Sequence, residues 1–411
     1  MESLSAVVLA AGEGRRLRPL TRSRPKPMLP AATTPVLERV LDELIDAGVT
    51  DITVVVGYQR ERVQSHFGPT YRNVPLTYVH QRSQLGTGDA LLSIRGVVDG
   101  SMLVINGDQI VDRRIIADVV SAHERSDSVA TLGLLQRSEV STYGGVLVDR
   151  ATDEETPTAP VVELVERPRD DREYRLNAGV YGLEPEIFEA ISETTPRTGE
   201  HSLIDAISYL LETGSDGVPP VRGIESGGLW VDATYPWDVL EVAIELLDRG
   251  RGDRTTNGRE RRTISPSSSI HGTAIVRGPV VVDDNCEIGP GAIVGPYACL
   301  GENVTVESGA VVERSVLDTD TRVRTNATVL ECVTGQAVEI GAGTTIPGGP
   351  GDVRVGDRIF EEAALGALLA DRVRDDGGVT YTPGSIVGPN ATVRAGTTVR
   401  GSVAEGTEVR S

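Results

Sequence analysis

The chain has 411 residues, which is enough for two or three domains that each bury a core of their own. Its 60 acidic residues outnumber its 40 basic ones and give a net charge of −20, so nucleic acid is not expected as a partner. The three cysteines are too few and too far apart for a disulfide framework or a zinc knuckle, and we interpret them as small core residues. Because no apolar run of about 18 residues follows the N-terminus, we expect a soluble, cytoplasmic protein without a membrane partner.

The basic residues are 39 arginines and a single lysine, Lys26. Acid excess with arginine in place of lysine resembles proteins of salt-loaded cytoplasm, where carboxylates hold hydration and salt screens their repulsion. We therefore predict a halophilic protein. Lysine is a compact point charge on a flexible stem and can insert between phosphate oxygens, whereas arginine is a planar fork. Lys26 is therefore a candidate functional residue.

Residues 1–247 alternate apolar strand-like runs with helical patterns, which predicts an α/β domain with a doubly wound, mainly parallel sheet and helices on both faces. Ligands of such sheets bind at the carboxyl ends of the strands. Both the glycine-rich turn after the first strand and Asp108 are predicted there. The predicted elements are, in order, strand AVVLAAG, helix VLERVLDELIDAGV, strand DITVVVGY, helix RERVQSHF, strand PLTYVHQ, a helix near GTGDALLSI and strand SMLVINGD.

A polar segment at 248–268 is predicted as a linker, and 269–411 as a second domain. In this domain aliphatic residues recur at every sixth position, which is a hexapeptide repeat and predicts a left-handed parallel β-helix. Such helices commonly assemble side by side, so we expect a homo-oligomer that forms a trimer through the β-helix. The run IFEEAALGALLADRVRDDGG departs from the repeat and is interpreted as a loop or an irregular coil. The repeat positions are Ile270, Val276, Val282, Ile288, Val294, Leu300, Val306 and Val312, then Val323, Val329, Ile340, Ile346, Val387, Val393 and Val399.

The turn after the first strand has the chemistry of a phosphate site. Gly12 and Gly14 let backbone amides approach a phosphate chain closely, and Arg16 and Lys26 place two cations beside it. A dinucleotide fingerprint fits poorly, because Leu17 stands where that motif has its third glycine.

The whole segment LAAGEGRRLRPLTRSRPKPMLP resembles the signature of sugar-1-phosphate nucleotidyltransferases. The likeness spans residues 5 to about 245, and the added hexapeptide domain makes it closest to two-domain members. These are the archaeal bifunctional enzymes and the two-domain glucose-1-phosphate thymidylyl- and uridylyltransferases. Further motifs follow in the family's order: Gln81 with Leu85-Gly86-Thr87-Gly88, Asn106-Gly107-Asp108, Tyr143-Gly144, Glu166-Arg167-Pro168, Leu176-Asn177-Ala178-Gly179, Trp230-Val231-Asp232 and Pro236-Trp237-Asp238.

The resemblance implies transfer of a nucleotidyl group from UTP or dTTP to glucose 1-phosphate or N-acetylglucosamine 1-phosphate, with Mg²⁺ as cofactor and pyrophosphate as product. It also implies a role for each matching position. Arg167 stands where the family usually has a second lysine, which preserves the charge and changes its geometry. The implied roles are nucleotide contact by Leu9, Ala10, Ala11 and Gly12, phosphate contact by Gly14 and Arg16, bridging of the reacting phosphates by Lys26, base contact by Gln81, Gly86 and Thr87, sugar contact by Gly144, Glu166 and Asn177, sugar-phosphate contact by Arg167, and metal ligation by Asp108 and Asp232.

Two alternatives remain open at this point. In bifunctional relatives the β-helix transfers an acetyl group to an amino sugar phosphate with a histidine base, but His271 is the only histidine in this half of the chain. Thr325 and Thr328 stand where that base is expected. A translation initiation exchange factor uses the same pair of domains as a scaffold, and retention of the phosphate-loop lysine argues against it.

Overall fold

The computed structural model describes residues 5–137, 140, 143–149, 158–195, 199–214, 218–250 and 261–410. The chain divides into two compact units: unit 1 is Met1–Glu13 with Val36–Val231, and unit 2 is Gly14–Pro35 with Asp232–Ser411. These units differ from the predicted sequence domains, because residues 14–35 and the residues from Asp232 onward belong to the unit that holds the repeats. Residues 251–260 of the predicted linker lie outside the described residues.

Up to residue 248 the described chain forms strands and α-helices, with three short 3-10 helices at Arg15–Leu17, Leu20–Arg22 and Lys26–Met28. In chain order the elements are β1 (Ser5–Ala10), β2 (Pro30–Ala31), β3 (Thr34–Pro35), α1 (Val36–Asp46), β4 (Ile52–Val56), α2 (Arg60–Phe67), β5 (Thr70–Tyr71), β6 (Val74–His80), α3 (Thr87–Leu92), β7 (Met102–Asn106), β8 (Gln109–Val111), α4 (Arg113–His123), β9 (Ala130–Leu135), β10 (Gly144–Val148), β11 (Thr158–Glu166), β12 (Arg175–Leu183), α5 (Ile187–Glu193), α6 (Leu203–Thr213), β13 (Val221–Glu225), β14 (Trp230–Asp232) and α7 (Asp238–Asp248).

A ten-stranded sheet is the centre of unit 1, in the order β10-β11-β13-β9-β12-β7-β1-β4-β6-β5. The strands β7, β1, β4 and β6 run parallel, and Val8 on the central strand pairs with Val54 on one side and Ile105 on the other. The strands β1, β4 and β7 are mostly apolar and buried, as expected where helices cover both faces of a parallel sheet, whereas β6 is partly exposed. The seven elements predicted from AVVLAAG to SMLVINGD all form, which places the turn after β1 at the carboxyl edge of the parallel strands.

The prediction of a mainly parallel sheet is wrong for the other half. There β12 is antiparallel to β7 and β9, and β10 is antiparallel to β11 and β12. A parallel connection needs a crossover of about a dozen residues or more. Only residues 167–174 separate β11 from β12, and this connection is too short for a covering helix. The domain is Rossmann-like in its parallel half and mixed overall.

Three stacked parallel sheets form the larger part of unit 2, and consecutive strands occupy the three sheets in turn. This topology is consistent with the predicted β-helix, and we refer to the three sheets by that name; the predicted left hand stays a prediction. The first sheet contains Arg262–Ile264, Val280–Val282, Ala298–Leu300, Val316–Leu317, Cys332–Thr334, Ala367–Leu369, Ser385–Val387 and Ser402–Val403. The second contains Ser269–Ile270, Glu287–Ile288, Thr305–Val306, Arg322–Val323, Glu339–Ile340, Arg374–Asp375, Thr392–Val393 and Glu408–Val409. The third contains Ile275–Val276, Ile293–Val294, Val311–Glu313, Thr328–Leu330, Thr345–Pro347, Thr380–Tyr381 and Thr398–Val399.

The predicted repeat positions supply the core of the β-helix. From Val276 to Val399 they belong to one buried apolar cluster, and Ile270 packs against it. Cys286, Cys299 and Cys332 are buried, as predicted for small core residues. Burial raises the pKa of the Cys286 thiol to about 11.

The segment predicted as a loop or irregular coil is partly regular. An inserted hairpin pairs Gly351–Val355 with Arg358–Ala363, and the β-helix resumes at Ala367, whose strand pairs with Cys332–Thr334. The repeat was not visible in the resumed coil because Asp375 and Tyr381 take strand positions that are aliphatic in other coils. Both are buried, and Tyr381 Oη donates to Asp375 Oδ2 at 3.3 Å.

Within the described ranges, no helix is long and apolar enough to cross a membrane.

Candidate active site

The glycine-rich segment folds back on itself around Gly14. This residue has a φ of 64°, and a Cβ there would lie 2.7 Å from Lys26 Cβ. Thr21 Oγ1 donates to Gly14 O at 2.9 Å and closes the loop. Only glycine combines a left-handed backbone with so close an approach. The predicted phosphate-contacting glycine therefore also sets the position of the Lys26 backbone.

Lys26 and Asp232 form a buried ion pair. The Nζ of Lys26 lies 2.5 Å from Asp232 Oδ1, and the two side chains are 9% and 8% exposed. Asp232 Oδ2 accepts a hydrogen bond from Thr234 Oγ1 at 2.8 Å. Two predicted site residues, one for phosphate and one for metal, are thus brought together although 206 positions separate them in sequence.

Arg16 lies on the 3-10 helix Arg15–Leu17 and is exposed, while Leu17 of the same turn is buried. The buried leucine fixes the turn and leaves the guanidinium in solvent. Long arginine side chains keep their charged end in water in this way, and that end can close on an anion.

The predicted nucleotide contacts Leu9, Ala10 and Ala11 lie at the carboxyl end of β1 and are buried, and Gly12 is exposed with open space around its Cα. Two backbone hydrogen bonds fix this edge: Gly107 N donates to Leu9 O at 2.9 Å and Tyr58 N donates to Ala11 O at 3.2 Å. Small residues here leave the strand end open to a ligand.

Asp108 lies in the turn between β7 and β8 and is half-buried. Its neighbour Gly107 is packed so closely that a Cβ would lie 2.8 Å from Val8 Cγ1. Asn106 Nδ2 donates to Gln109 Oε1 at 3.2 Å across the turn. Gly179 fits against this pair, since a Cβ there would lie 2.3 Å from Gln109 Oε1.

The three predicted base contacts form one hydrogen-bonded loop. Gln81 is buried, and its Nε2 donates to Gly86 O at 3.0 Å and Asp89 Oδ2 at 2.8 Å. Both bonds use the amide nitrogen, so neither occupies the acceptor Oε1. Thr87 Oγ1 accepts from Leu203 N at 3.0 Å, at the start of α6. That hydroxyl therefore has a structural partner, which the sequence did not reveal.

His201 is a part of this loop that sequence reasoning missed. Its backbone N donates to Leu85 O at 2.6 Å and its O accepts from Gly88 N at 2.8 Å. Gly86 has a φ of 100°, and a Cβ there would lie 2.4 Å from His201 O. Because His201 acts through its backbone, no residue-type signal marks it.

The predicted sugar contacts are also brought together. Gly144 pairs directly with Glu166 across β10 and β11, and a Cβ at Gly144 would lie 3.9 Å from Asn177 Cβ. Asn177 Nδ2 donates to Tyr181 Oη at 3.0 Å, and Asn177 Oδ1 accepts from Gly179 N at 3.1 Å. Burial raises the pKa of Tyr181 to about 12. Its oxygen and the Gly179 amide together fix the orientation of the Asn177 side chain.

Arg167 follows Glu166 with a φ of 53° and is exposed. Its backbone N donates to Tyr143 O at 2.9 Å. A left-handed backbone at a residue with a Cβ is held only where its surroundings impose it. The hydrogen bond to Tyr143 supplies that constraint and keeps Arg167 beside the sugar-contact group.

Three histidines of unit 1, His66, His80 and His123, lie outside the predicted site and have partners of their own. His66 Nε2 lies 3.1 Å from Glu38 Oε2, and His80 Nδ1 lies 2.7 Å from Arg60 Nη1. His123 is buried with its Nδ1 3.0 Å from Thr131 Oγ1. Burial lowers the pKa of this imidazole, and Glu184 opposes that shift.

The side chains of Asp108 and Asp232 are of the type that magnesium prefers as ligands. Both supply carboxylate oxygens, which are hard ligands, and magnesium usually takes one or two carboxylates together with phosphate oxygens and water. Among the residues that the structure describes, no group of three or more His, Cys, Asp or Glu is gathered as a metal cage.

Two family profiles cover most of the chain. The profile described as nucleotidyl transferase matches residues 5–248, and the one described as GMPPB C-terminal domain matches residues 276–404. The first match spans more than half of the chain and contains every predicted site residue.

The chain is also similar to individual proteins over long alignments. It is 29% identical to "Bifunctional protein GlmU" of Methanocaldococcus jannaschii, covering 95% of this chain and 94% of that protein. It is 34% identical to "UTP--glucose-1-phosphate uridylyltransferase AglF" of Haloferax volcanii, covering 60% of this chain and 97% of the relative. "Low-salt glycan biosynthesis nucleotidyltransferase Agl11" of the same organism is 32% identical, covering 82% and 94%.

A solved structure of UDP-glucose pyrophosphorylase complexed with UDP-glucose shares the fold, with a TM-score of 0.53 over 60% of this chain and 99% of that chain at 22% identity. The fold, the profile match and the long alignments agree. The chain belongs to the nucleotidyl transferase family and is an enzyme of its sugar-1-phosphate nucleotidyltransferase group.

Proposed function

We propose that this enzyme transfers a nucleotidyl group from UTP or dTTP to glucose 1-phosphate or N-acetylglucosamine 1-phosphate, with Mg²⁺ as cofactor. A phosphate oxygen of the sugar 1-phosphate forms a bond to the α-phosphorus of the triphosphate. The bond from that phosphorus to the bridging oxygen of the β-phosphate breaks, and pyrophosphate leaves. The nucleotide sugar keeps both phosphates.

The observation that carries this proposal is the buried ion pair of Lys26 and Asp232. Reaction between two polyanions needs charge neutralisation and alignment more than proton transfer, because a phosphate monoester with a second pKa of about 6 is already ionised at neutral pH. A preorganised cation in a site shielded from water stabilises phosphate charge far more than one in bulk solvent. Asp232 holds the Lys26 ammonium in place before substrate binds.

The other phosphate contacts complete this role. Arg16 is exposed and long enough to close on the triphosphate, and it would stabilise the charge that develops on pyrophosphate. Gly14 has a left-handed backbone at the start of the 3-10 helix Arg15–Leu17, and its amide would donate to a phosphate oxygen. Lys26 bridges the two reacting phosphates, so that the attacking oxygen and the leaving group are held in line.

Asp108 and Asp232 are proposed to hold the metal. Asp108 directly precedes β8 and Asp232 ends β14, and each supplies carboxylate oxygens of the kind that magnesium prefers. When bound, magnesium would neutralise phosphate charge and favour departure of pyrophosphate.

Gln81, Gly86 and Thr87 are proposed to recognise the pyrimidine through the acceptor oxygen of Gln81 and the backbone of the loop. The orientation of Gln81 by Gly86 and Asp89 supports this assignment, because the side chain is fixed before the base arrives. Glu166 and Asn177 are proposed to hold sugar hydroxyls beside Gly144, where a side chain would narrow the space. Arg167 would contact the sugar phosphate.

The similarity to AglF of Haloferax volcanii, a protein named as a UTP–glucose-1-phosphate uridylyltransferase, supports UTP and glucose 1-phosphate as the first pair to test. The Methanocaldococcus relative is named as a bifunctional protein. This name is consistent with the second candidate function, acetyl transfer by the β-helix. His271, the histidine of that half of the chain, is exposed and has its Nδ1 2.9 Å from Thr273 Oγ1 in the first coil.

Pyrophosphate release by the purified protein tests the proposal. The assay contains molar potassium chloride and Mg²⁺, and it crosses UTP and dTTP with glucose 1-phosphate and N-acetylglucosamine 1-phosphate. We expect release with at least one pair and loss of release on chelation of the metal. Acetyl-coenzyme A with glucosamine 1-phosphate, in a separate reaction, tests the second candidate. Release with none of the four pairs by folded protein would overturn the proposed substrates.

Asp108→Asn and Asp232→Asn give the residue-level test of the metal assignment. Each removes one negative ligand at nearly constant shape, so we expect turnover to fall by about 100-fold or more. The magnesium concentration for half-maximal rate should rise in both variants. Near-normal turnover in either one would refute the assignment of that residue.

A further inference from the structure

The segment that carries Lys26 is fixed to the β-helix by a buried charge cluster, which we call the Arg24 cluster: Ser23, Arg24, Asp318 and Asp371. Arg24 forms an ion pair with Asp318, and its Nη2 lies 3.6 Å from Asp371 Oδ1. Ser23 Oγ donates to Asp371 Oδ2. The Arg24 side chain is 5% exposed, so this is an interior contact and not a surface ion pair.

The β-helix is shaped to receive the arginine. Asp318 follows the strand Val316–Leu317, and Asp371 follows Ala367–Leu369 two coils further along the same sheet. In the coil between them a Cβ at Gly335 would lie 2.2 Å from Asp371 Oδ1.

Both carboxylates have backbone donors of their own: Thr319 N donates to Asp318 Oδ1 at 2.7 Å and Gln336 N donates to Asp371 Oδ1 at 2.9 Å. The two aspartates are therefore oriented by the β-helix itself.

The backbone between the Arg24 cluster and the active-site lysine has little conformational freedom. Pro25 and Pro27 flank Lys26, and proline fixes its own φ and restricts the residue before it. The turn is closed by Met28 N donating to Pro25 O and Leu29 N donating to Lys26 O, both at 2.9 Å. A shift of Arg24 is therefore passed to the Lys26 backbone instead of being absorbed in a flexible loop.

The other partner of the ion pair has an anchor of its own, which we call the aromatic cluster: Tyr235, Trp237 and Phe360. Tyr235 and Trp237 follow Asp232 closely and stack with ring centroids 5.0 Å apart. Phe360, from the inserted hairpin, lies 4.5 Å from the Tyr235 ring and 5.0 Å from the Trp237 ring. The hairpin therefore packs on the segment that leaves Asp232.

We propose that the β-helix is a working part of the transferase site, in which the Arg24 cluster and the aromatic cluster hold Lys26 and Asp232 in register with each other. Arg24 and Phe360 are positioning residues and do not touch substrate. The inference rests on the proposed function of the Lys26 and Asp232 pair. It assigns to the repeat domain a role in the transfer reaction that is separate from acetyl transfer and from assembly.

Arg24→Met and Arg24→Lys test the first anchor. A displacement near 1 Å at a reacting group can cost about 100-fold in rate. We therefore expect Arg24→Met to lower kcat by about that factor with KM values close to those of the parent, and Arg24→Lys to recover part of the loss. Arg324→Met is the matched control, because Arg324 also bridges two carboxylates of the β-helix, Glu307 at 2.7 Å and Glu339 at 2.5 Å.

Phe360→Ala and Ile359→Ala test the second anchor on the same hairpin strand. Phe360 belongs to the aromatic cluster, whereas Ile359 is 57% exposed. We expect kcat to fall in the first variant and to stay at the parent value in the second. Equal kcat in Phe360→Ala, Arg24→Met and the parent would overturn the inference.

Hydrogen–deuterium exchange separates this inference from the proposed function and from simple loss of stability. In Arg24→Met, peptides containing Met28 and Leu29 should exchange faster while peptides of β1 and β4 keep their rates. Exchange that rises everywhere would show a general loss of stability and would count against a local anchor. If the parent proved inactive on all four substrate pairs, faster exchange confined to 23–29 would still support the anchor and would remove only its catalytic purpose.

Discussion

At the scale of single residues, Lys26 differs chemically from the 39 arginines around it in the sequence. It is buried and paired with Asp232 at 2.5 Å, a distance and setting that suit a compact ammonium group. A guanidinium is wider and planar, so it could not take the same place without moving Asp232. The composition drew attention to this residue, its motif indicated a phosphate contact, and the structure shows its partner.

Lys26→Arg should therefore lose most activity although charge is kept. We expect kcat to fall by about 100-fold or more, since the loss concerns a preorganised contact to the reacting phosphates. Arg72→Lys is the control for an arginine and lysine exchange at an ion pair, because Arg72 contacts Asp42 at 2.9 Å and Asp46 at 2.8 Å on the surface. Steady-state pyrophosphate release gives kcat for both variants. A kcat equal to that of the parent in Lys26→Arg would contradict the account.

Asp238 gives a prediction about pH. Burial raises the pKa of its carboxyl to about 6, although the backbone N–H groups of Tyr235 and Thr234 oppose that shift. The unfolded chain ionises near its ordinary value of about 4, so folding binds a proton between the two pH values. The contribution of Asp238 to stability is thus full below about pH 4 and is lost as the pH rises through about 6.

Denaturant unfolding of the parent and Asp238→Asn at pH 4 and pH 7 measures this contribution. We expect the free energy of unfolding of the parent, relative to the variant, to drop by up to about 3 kcal/mol between these pH values. A constant difference, or one that grows with pH, would show that the ionised carboxylate is the favoured form in the folded protein.

Sequence reasoning reached Lys26 and Asp232 through their motifs but did not single out Arg24, Asp318 or His201. Arg24 is one of five arginines from Arg15 to Lys26, and its residue type does not distinguish it from the others. Asp318 is buried against it only because a distant coil folds there. Contacts made through space, or through the backbone as at His201, leave no pattern in residue types.

At the scale of elements, the parallel strands and their helices were predictable because each has a periodicity of its own. The antiparallel half of the sheet was not, since the orientation of β12 depends on the length of its connection and on its neighbours. The inserted hairpin was also missed. Its strand Arg358–Ala363 is mostly exposed and lacks the buried aliphatic positions that mark the coils.

The role of the loop that holds the predicted base contacts can be tested by substitutions that change its backbone. Gly86→Ala adds a Cβ at a φ of 100° and 2.4 Å from His201 O, whereas Gly96→Ala adds one at a φ of 81° with nothing within 4 Å. Both variants carry left-handed strain of about 1–2 kcal/mol. Only the first also displaces His201.

We expect Gly86→Ala to raise KM for the nucleoside triphosphate and to lower Tm more than Gly96→Ala does. The KM for the sugar 1-phosphate should change little, because Glu166 and Asn177 lie on β11 and β12 and not in this loop. Kinetics with one substrate varied at a time, with thermal unfolding of both variants, gives the comparison. Equal values of this KM and of Tm in Gly86→Ala and Gly96→Ala would argue against a specific role of the loop.

At the scale of the whole molecule, the charge of −20 sets the conditions in which the fold is measured. Repulsion among 60 carboxylates is screened by salt, and the Debye length grows from about 3 Å at 1 M to about 30 Å at 0.01 M. We predict that the protein loses secondary structure on dialysis from molar potassium chloride into low salt. Circular dichroism measures this loss. Spectra that stay unchanged would contradict a halophilic fold.

Assembly belongs to the same scale. The β-helix is expected to support a homo-oligomer, for which a closed threefold arrangement is our proposal. Light scattering in molar salt should give three times the mass of the 43.7 kDa chain. A monomer would contradict it.

Transfer of label from an α-³²P-labelled UTP or dTTP to a nucleotide sugar, with Mg²⁺ and the sugar 1-phosphate that supports pyrophosphate release, tests the central claim most directly. The account predicts labelled nucleotide sugar and an equal amount of pyrophosphate from the parent, with both products lost together in Lys26→Met. Label transfer by folded Lys26→Met at the parental rate would contradict it.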